Sequence, residues 1–203
     1  MREDIKKKHK KIYDSSTRFV SEVKVPEFQF VMIDGIGNPS EPDFMLKSKA
    51  LNLISHAIRN KLKADGNGAY LIAPLEGVWD TYDNSKFDVT RKKMIRYTLM
   101  MAQPKEITTK IFEEVKAELI SKKDNSYIND SYLKKWEEGN SVQMLHIGSY
   151  DTEIISTKQI MEYIIIQNLK LNGLHHEIYL NNPNRVEPSK LKTIIRYPVA
   201  DDI

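Results

Sequence analysis

The sequence predicts an α+β fold in which a strand-helix-strand-strand unit occurs twice, as a tandem repeat with pseudo-twofold symmetry, its antiparallel sheets forming a central ligand cleft. Three observations predict it. Apolar residues alternate with period two in six segments and recur at helical spacing in three. The order strand, helix, strand, strand begins again near residue 141, and Met32-Ile33-Asp34-Gly35 and Met144-Leu145-His146-Ile147-Gly148 fall at corresponding points. Each unit alone would leave one sheet face uncovered, so it gains by pairing with its copy, and the seam between halves is a natural place for a pocket.

Residues 27–34 (EFQFVMID) read as a strand ended by Gly35, Gly37 and Pro39. Ser40 and Pro42 stand where a cap and a first-turn proline belong. Leu46, Ala50, Leu53, Ile54 and Ala57 then share a helical face to about Leu62, and Asp65, Gly66, Asn67 and Gly68 close it. Strands are expected over 69–75 and 94–102, joined by a polar connection. Pro104 stops the second of them, and Thr108 caps a helix carrying Ile111, Phe112, Val115 and Leu119. The stretch 122–130 reads as loop. In the second unit, 141–147 is a strand broken at Gly148, and a helix starting near Asp151 or Thr152 shows Met161, Ile164, Ile165 and Leu169 on one face. Asn172 and Gly173 end that helix, and strands over 175–180 and 192–199 finish the unit. Residues 1–24 form a basic N-terminal extension and 25–203 one domain of two repeats, about 25–125 and 140–203.

The 203 residues are 40% hydrophobic and 29% charged, the make-up of an ordinary globular chain. With no cysteine there is no disulfide framework, thiolate metal site or cysteine nucleophile, and a cytoplasmic location is expected. No apolar stretch approaches the ~18 residues of a membrane span, and no signal-type block follows Lys6–Lys11. The net charge of +3 lacks the basic stripe of a nucleic-acid binder, and the lysine run reads as a solvated, frayed terminus. About 25 residues precede the first strand, too few for a helix-turn-helix unit, so no direct nucleic-acid partner is expected.

Four segments carry a specific resemblance: VPEFQFVMIDGIGNP (25–39), PLEGVW (74–79), VQMLHIGSYDTE (142–153) and HHEIYLNNPNRVEPSKLKTIIRYPV (175–199). Together they make the chain resemble the GyrI-like small-molecule-binding family, itself likened to the effector-binding domains of multidrug-responsive transcription activators. The resemblance spans nearly all of 25–199 in order. It departs after Trp79, where the family often has a second Trp and this chain has Asp80. It implies an aromatic-lined cleft holding an acid that meets cationic or electron-poor ligands, and the matching acid is Glu177.

Strand alternation sets His175, Glu177 and Tyr179 on one face and His176, Ile178 and Leu180 on the other. A carboxylate among aromatic rings must gain a hydrogen bond, rise in pKa or meet a cation. Trp79, Tyr97, Tyr150, Tyr179 and Tyr197 are the candidate wall, because ring faces attract cations and bury flat area. Glu76 in PLEGVW is a second acid that could pair with Glu177 for acid-base work, or simply occupy a turn. His175 is a further ligand-binding candidate. A metal site using both adjacent histidines is disfavoured, since neighbours on a strand point apart, and no cofactor is expected. No glycine-flanked serine elbow or phosphate-cradling loop is present.

Two functions fit. One is a binding protein for bulky amphipathic or cationic aromatic small molecules, detoxifying by capture. The other, implied by the resemblance, is a hydrolase that opens cyclopropane-containing genotoxins, with Glu177 activating water and Tyr150 or Tyr179 donating a hydrogen bond as charge develops. The family name adds a third, a protein inhibitor of DNA gyrase. No membrane partner is expected.

Overall fold

A computed structural model describes residues 4–66, 70–81, 95–122 and 125–202. Expectations that fall on Asn67, Gly68, Ala69 and Met94, on the connection over 82–94, and on 123–124 within the expected loop lie outside the described residues. Helices α1 (Ile5–Lys8) and α2 (Lys10–Tyr13) precede β1 (Ser21–Ile36), α3 (Pro42–Ala64), β2 (Leu75–Thr81), β3 (Ile95–Gln103) and α4 (Thr109–Ser121). Then come β4 (Tyr132–Ile147), α5 (Glu153–Ile166), β5 (Leu169–Leu171), β6 (His175–Tyr179) and β7 (Lys192–Asp201).

The sheet is antiparallel throughout and closes on itself. Its order is β4-β1-β3-β2-β6-β7-β5, and β4 also pairs with β7, so six strands form a ring with short β5 added to β7. A ring has no free edge to cover, and it gives every strand an inner and an outer face. Helix α3 covers the outer face of the first half through Leu51, Ile54 and Ile58, which cluster with Val31, Ile33, Leu99 and Met101. Helix α5 covers the second half through Ile160 and Ile164 against Val142, Met144, Ile195 and Tyr197.

Several expectations change. The helix expected to carry Leu169 and to end at Asn172 and Gly173 stops at Ile166, with Ile165 exposed and Leu169–Leu171 forming β5 against β7. The strand expected over 69–75 is displaced: residues 71–74 have no regular structure, and the ladder starts at Leu75. Pro74 has no N–H to give a ladder, and the Tyr70 side chain packs beneath α3, its buried hydroxyl donating to Gln103 Oε1 at 2.9 Å with Ser55 O 3.2 Å away. Strands β1 and β4 are also twice the expected length, 16 residues each. Their charged ends pair with one another, from Ser21↔Gln143 to Met32↔Tyr132, which closes the ring without an apolar period to betray it. Finally, the N-terminal segment is anchored. Its five lysines are exposed, but Ile12 and Tyr13 are buried inside the ring with Val25, Ile178 and Ile194.

The helix starts follow local chemistry. Thr108 caps α4, its hydroxyl accepting from Ile111 N at 3.2 Å, and Pro42 opens α3 behind Glu41 rather than Ser40.

A buried carboxyl pair on the outer face of the ring

Strand β6 alternates as its sequence requires. Its outward residues meet the start of α5 and the outer face of β2, where Trp79 lies opposite His175 and Gly77 opposite Glu177. Glu177 is 7% exposed and accepts two hydrogen bonds, from Tyr179 Oη to Oε2 at 2.7 Å and from His175 Nε2 to Oε1 at 2.8 Å. In the neutral tautomer that donates from Nε2, His175 Nδ1 accepts, and Tyr197 Oη donates to it at 2.6 Å. The chain Tyr197→His175→Glu177←Tyr179 thus fixes the imidazole tautomer and leaves both Glu177 oxygens as acceptors.

The second acid at this point is Glu153, the first residue of α5 and 3% exposed. One oxygen from each carboxyl and one His175 nitrogen lie within 4.8 Å of one another. Burial, and next the neighbouring Glu177 charge, push the Glu153 carboxyl far above the usual carboxylate range. Glu153 therefore holds a proton at neutral pH, and one of its oxygens is buried without a hydrogen-bond partner among the described residues. These three residues form a donor set that could also hold a cation. Tyr150, 42% exposed, closes the outside with its ring edge-on to Tyr179 at 5.9 Å, and burial followed by the Glu153 charge raises its phenol to about 12.

The first half supplies an aromatic wall. Trp79 stacks on Phe44 at 5.8 Å between ring centroids and lies 5.4 Å from Tyr97. Its indole edge crosses Gly77, where a Cβ would meet Nε1 at 3.1 Å and the Tyr179 hydroxyl at 3.3 Å. Among the described residues that Nε1–H is buried without an acceptor. Tyr97 donates at 3.4 Å to Asp43, which also pairs with Lys47 and Tyr127, and burial leads the causes that raise the Tyr97 phenol.

The sequence-derived candidates Glu177, His175, Tyr179, Tyr197 and Tyr150 come together, with Trp79 beside them and Tyr97 one ring further out. Glu76 does not join them. It pairs with Ile178 across the ladder and so faces the ring interior, where it accepts from Tyr13 Oη at 2.9 Å and sits 3.1 Å from His176 Nε2. The acid beside Glu177 is Glu153, which sequence reasoning missed because an acid in a first helical turn has an ordinary explanation in the helix dipole. His146 is held by Ser156 at 3.0 Å and Thr152 at 3.0 Å beneath the same turn.

Glu153→Gln gives a direct check of the shared proton. A carboxyl raised in the folded state binds its proton more tightly there than when unfolded, so it costs stability as pH climbs above the usual carboxylate value. Wild-type urea midpoints are expected to fall between pH 6 and pH 9 by more than those of Glu153→Gln; equal falls would mean that Glu153 carries no such proton.

An antiparallel ring under two helices, with an acid pair beneath aromatic rings, defines a small-molecule-binding domain. The chain belongs to the GyrI-like small molecule binding domain family, whose model matches residues 18–200. A conserved protein of Listeria innocua superposes with a TM-score of 0.90 at 31% identity, over 98% of this chain and 100% of that one. A Listeria innocua hydrolase encoded by lin2189 follows at a TM-score of 0.89 and 30% identity, over 98% and 100% of the two chains. The EcmrR C-terminal domain shares the fold at a TM-score of 0.54 and 12% identity, over 90% of this chain and 97% of that one. No protein of curated function matches the chain in sequence. Among the described residues, no helix is long and apolar enough to cross a membrane.

Proposed function

We propose that this chain is a cytoplasmic detoxifying hydrolase that opens strained, electrophilic rings of flat aromatic compounds, cyclopropane-bearing genotoxins being the substrate class. The observation that carries this reading is the approach of two buried carboxyls, of which Glu153 is driven to hold its proton by burial and its neighbour, an arrangement that acid-base hydrolysis can use. The hydrolase name of a relative at 30% identity supports it.

In this scheme Glu177 takes a proton from water as the oxygen attacks a ring carbon. The C–C bond breaks, its electron pair passes to the conjugated carbonyl system of the substrate, and Glu153 protonates that system. Proton transfer from Glu177 to Glu153 across their contact then restores both groups. Tyr150 donates a hydrogen bond near the developing charge, Tyr179 keeps its hydrogen bond to Glu177 and so holds that carboxyl in place, and Trp79 and Tyr97 form the flat wall against which the aromatic body stacks. Bulky cations would bind the same surface through ring faces and Glu177. The ring order β1-β3-β2-β6-β7-β4, with one helix packed over each half, supports reading the halves as pseudo-twofold copies.

The test is to incubate the protein with a cyclopropane-containing alkylator and follow ring-opened product over many equivalents. Continued turnover is expected. Stoichiometric capture without product would reject hydrolysis and leave a binding protein.

A further inference from the structure

On the inner face of the ring, a second polar cluster is filled by the chain's own N-terminus. Tyr13 gives its phenol proton to Glu76 at 2.9 Å, and Arg196 Nη2 donates to the Ile12 carbonyl at 2.7 Å. Gln143 Nε2 donates to the carbonyls of Lys11 at 3.1 Å and Asp14 at 3.4 Å. One short peptide is thus held by its phenol and by three of its backbone carbonyls. The groups that hold it are buried and brace one another: Arg196 donates to Glu138 at 2.8 Å and to Gln143 Oε1 at 2.9 Å, and His176 lies 2.9 Å from Glu138 and 3.1 Å from Glu76. Phe28, Phe30 and Trp136 wall the space, and no room for a water molecule is left around Tyr13.

Occupant and receptor are separable. Residues 4–13 precede the family match at 18–200, whereas Glu76, Glu138, Gln143, His176 and Arg196 all fall within it. The segment 14–20 that joins them has no helix or strand, and the lysines at 6, 7, 8, 10 and 11 are exposed. Undocking leaves Glu76 without its phenol and an Arg196 N–H without its carbonyl, both of which a similar molecule would satisfy.

We propose that the ring interior is a second ligand site, separate from the Glu153–Glu177 site, that takes a phenol carrying a nearby amide carbonyl, and that residues 4–14 are its tethered occupant. A short tether holds its end at an effective concentration on the order of millimolar, so a free ligand competes at about that level. The probe is N-acetyl-tyrosinamide at about 10 mM, with N-acetyl-phenylalaninamide as its control. In the full chain, tryptic cleavage at Lys6–Lys11 reports undocking. The tyrosine amide is expected to speed that cleavage and the phenylalanine amide to do so several-fold less, because it offers Glu76 no proton. Tyr13→Phe alone is expected to be cut several-fold faster than wild type. Melting of Tyr13→Ala should rise with the tyrosine amide; if that variant does not fold, the wild-type cleavage comparison decides. Equal action of the two amides, or no action of either on wild type, would overturn the proposal.

Discussion

Replacing Glu177 by Gln is expected to slow ring opening by about 10²- to 10⁴-fold, the range for loss of a positioned general base. The amide is nearly isosteric but cannot take the proton of water. It also disrupts the hydrogen-bond chain, because the amide nitrogen cannot accept from either Tyr179 or His175, both of which donate to the native carboxylate. Loss of the Glu177 charge removes the second largest cause of the raised Glu153 carboxyl, leaving burial as the main one. The fall should appear in kcat, with KM for a neutral substrate little changed, because the proposed scheme stacks the substrate on Trp79 and Tyr97 rather than on the acid. A lipophilic cation, by contrast, should bind less tightly. Product formation and fluorescence titration on the same preparations separate the two effects. An unchanged kcat would remove Glu177 from the chemistry, and unchanged cation affinity would remove it from recognition.

The second large effect concerns stability. Arg196→Met is expected to cost about 3–5 kcal/mol, the range for breaking a buried ion pair from one side. Arg196 is 1% exposed and meets Glu138 at 2.8 Å, and its loss strands that carboxylate with His176 alone. It also strips donors from Gln143 and from the Ile12 carbonyl. For a chain of this size the melting temperature should drop by roughly 6–20 °C. Burial alone would raise the Glu138 carboxyl, but the His176 and Arg196 charges outweigh it and hold it at about 2. Burial would likewise lower His176, yet Glu138 lifts it to about 9. The depressed carboxyl stabilises the fold above its unfolded value and ceases to do so as pH falls toward 2; the raised imidazole stabilises fully below its unfolded value and ceases as pH rises through 9. Their joint contribution is therefore greatest between about pH 4.5 and 6.5. Arg196→Met should shift the acid limb upward, measured as thermal midpoints from pH 3 to 8, and a variant that melts like wild type would refute the account.

Much of this architecture could be read from residue patterns. The helices at 42–64 and 109–121 declared themselves through apolar spacing and their first-turn residues, and so did the start of the one at 153–166. Its end did not, because the apolar residues after Ile166 continue into β5, with Leu169 in the strand and Ile165 exposed. The outward trio His175, Glu177 and Tyr179 followed from strand alternation. Ring closure did not, because the Tyr132–Asn140 half of β4 is mostly polar and its pairing with β1 is long-range. The strand expected over 69–75 is displaced because Pro74 cannot donate to a ladder, and the apolar residues before it, Tyr70 and Ile72, pack in the cluster beneath α3 instead. Glu153 and Arg196 carried no local signal: their importance comes from neighbours 24 and 58 residues away in sequence, at Glu177 and Glu138. Tyr13 was hidden by its lysine-rich surroundings, since two apolar residues are too few to establish a period.

The side-by-side histidines of β6 carry a last consequence. His175 belongs to the outer acid pair and His176 to the inner ion cluster, so five residues of backbone partition two chambers of different chemistry. Sliding this strand by a single position would exchange the furnishings of both at once, turning Glu177 toward Arg196 and stranding His176 beneath α5. Insertions or deletions within 175–179 should thus be far less tolerated than substitutions there, whatever molecule the protein meets.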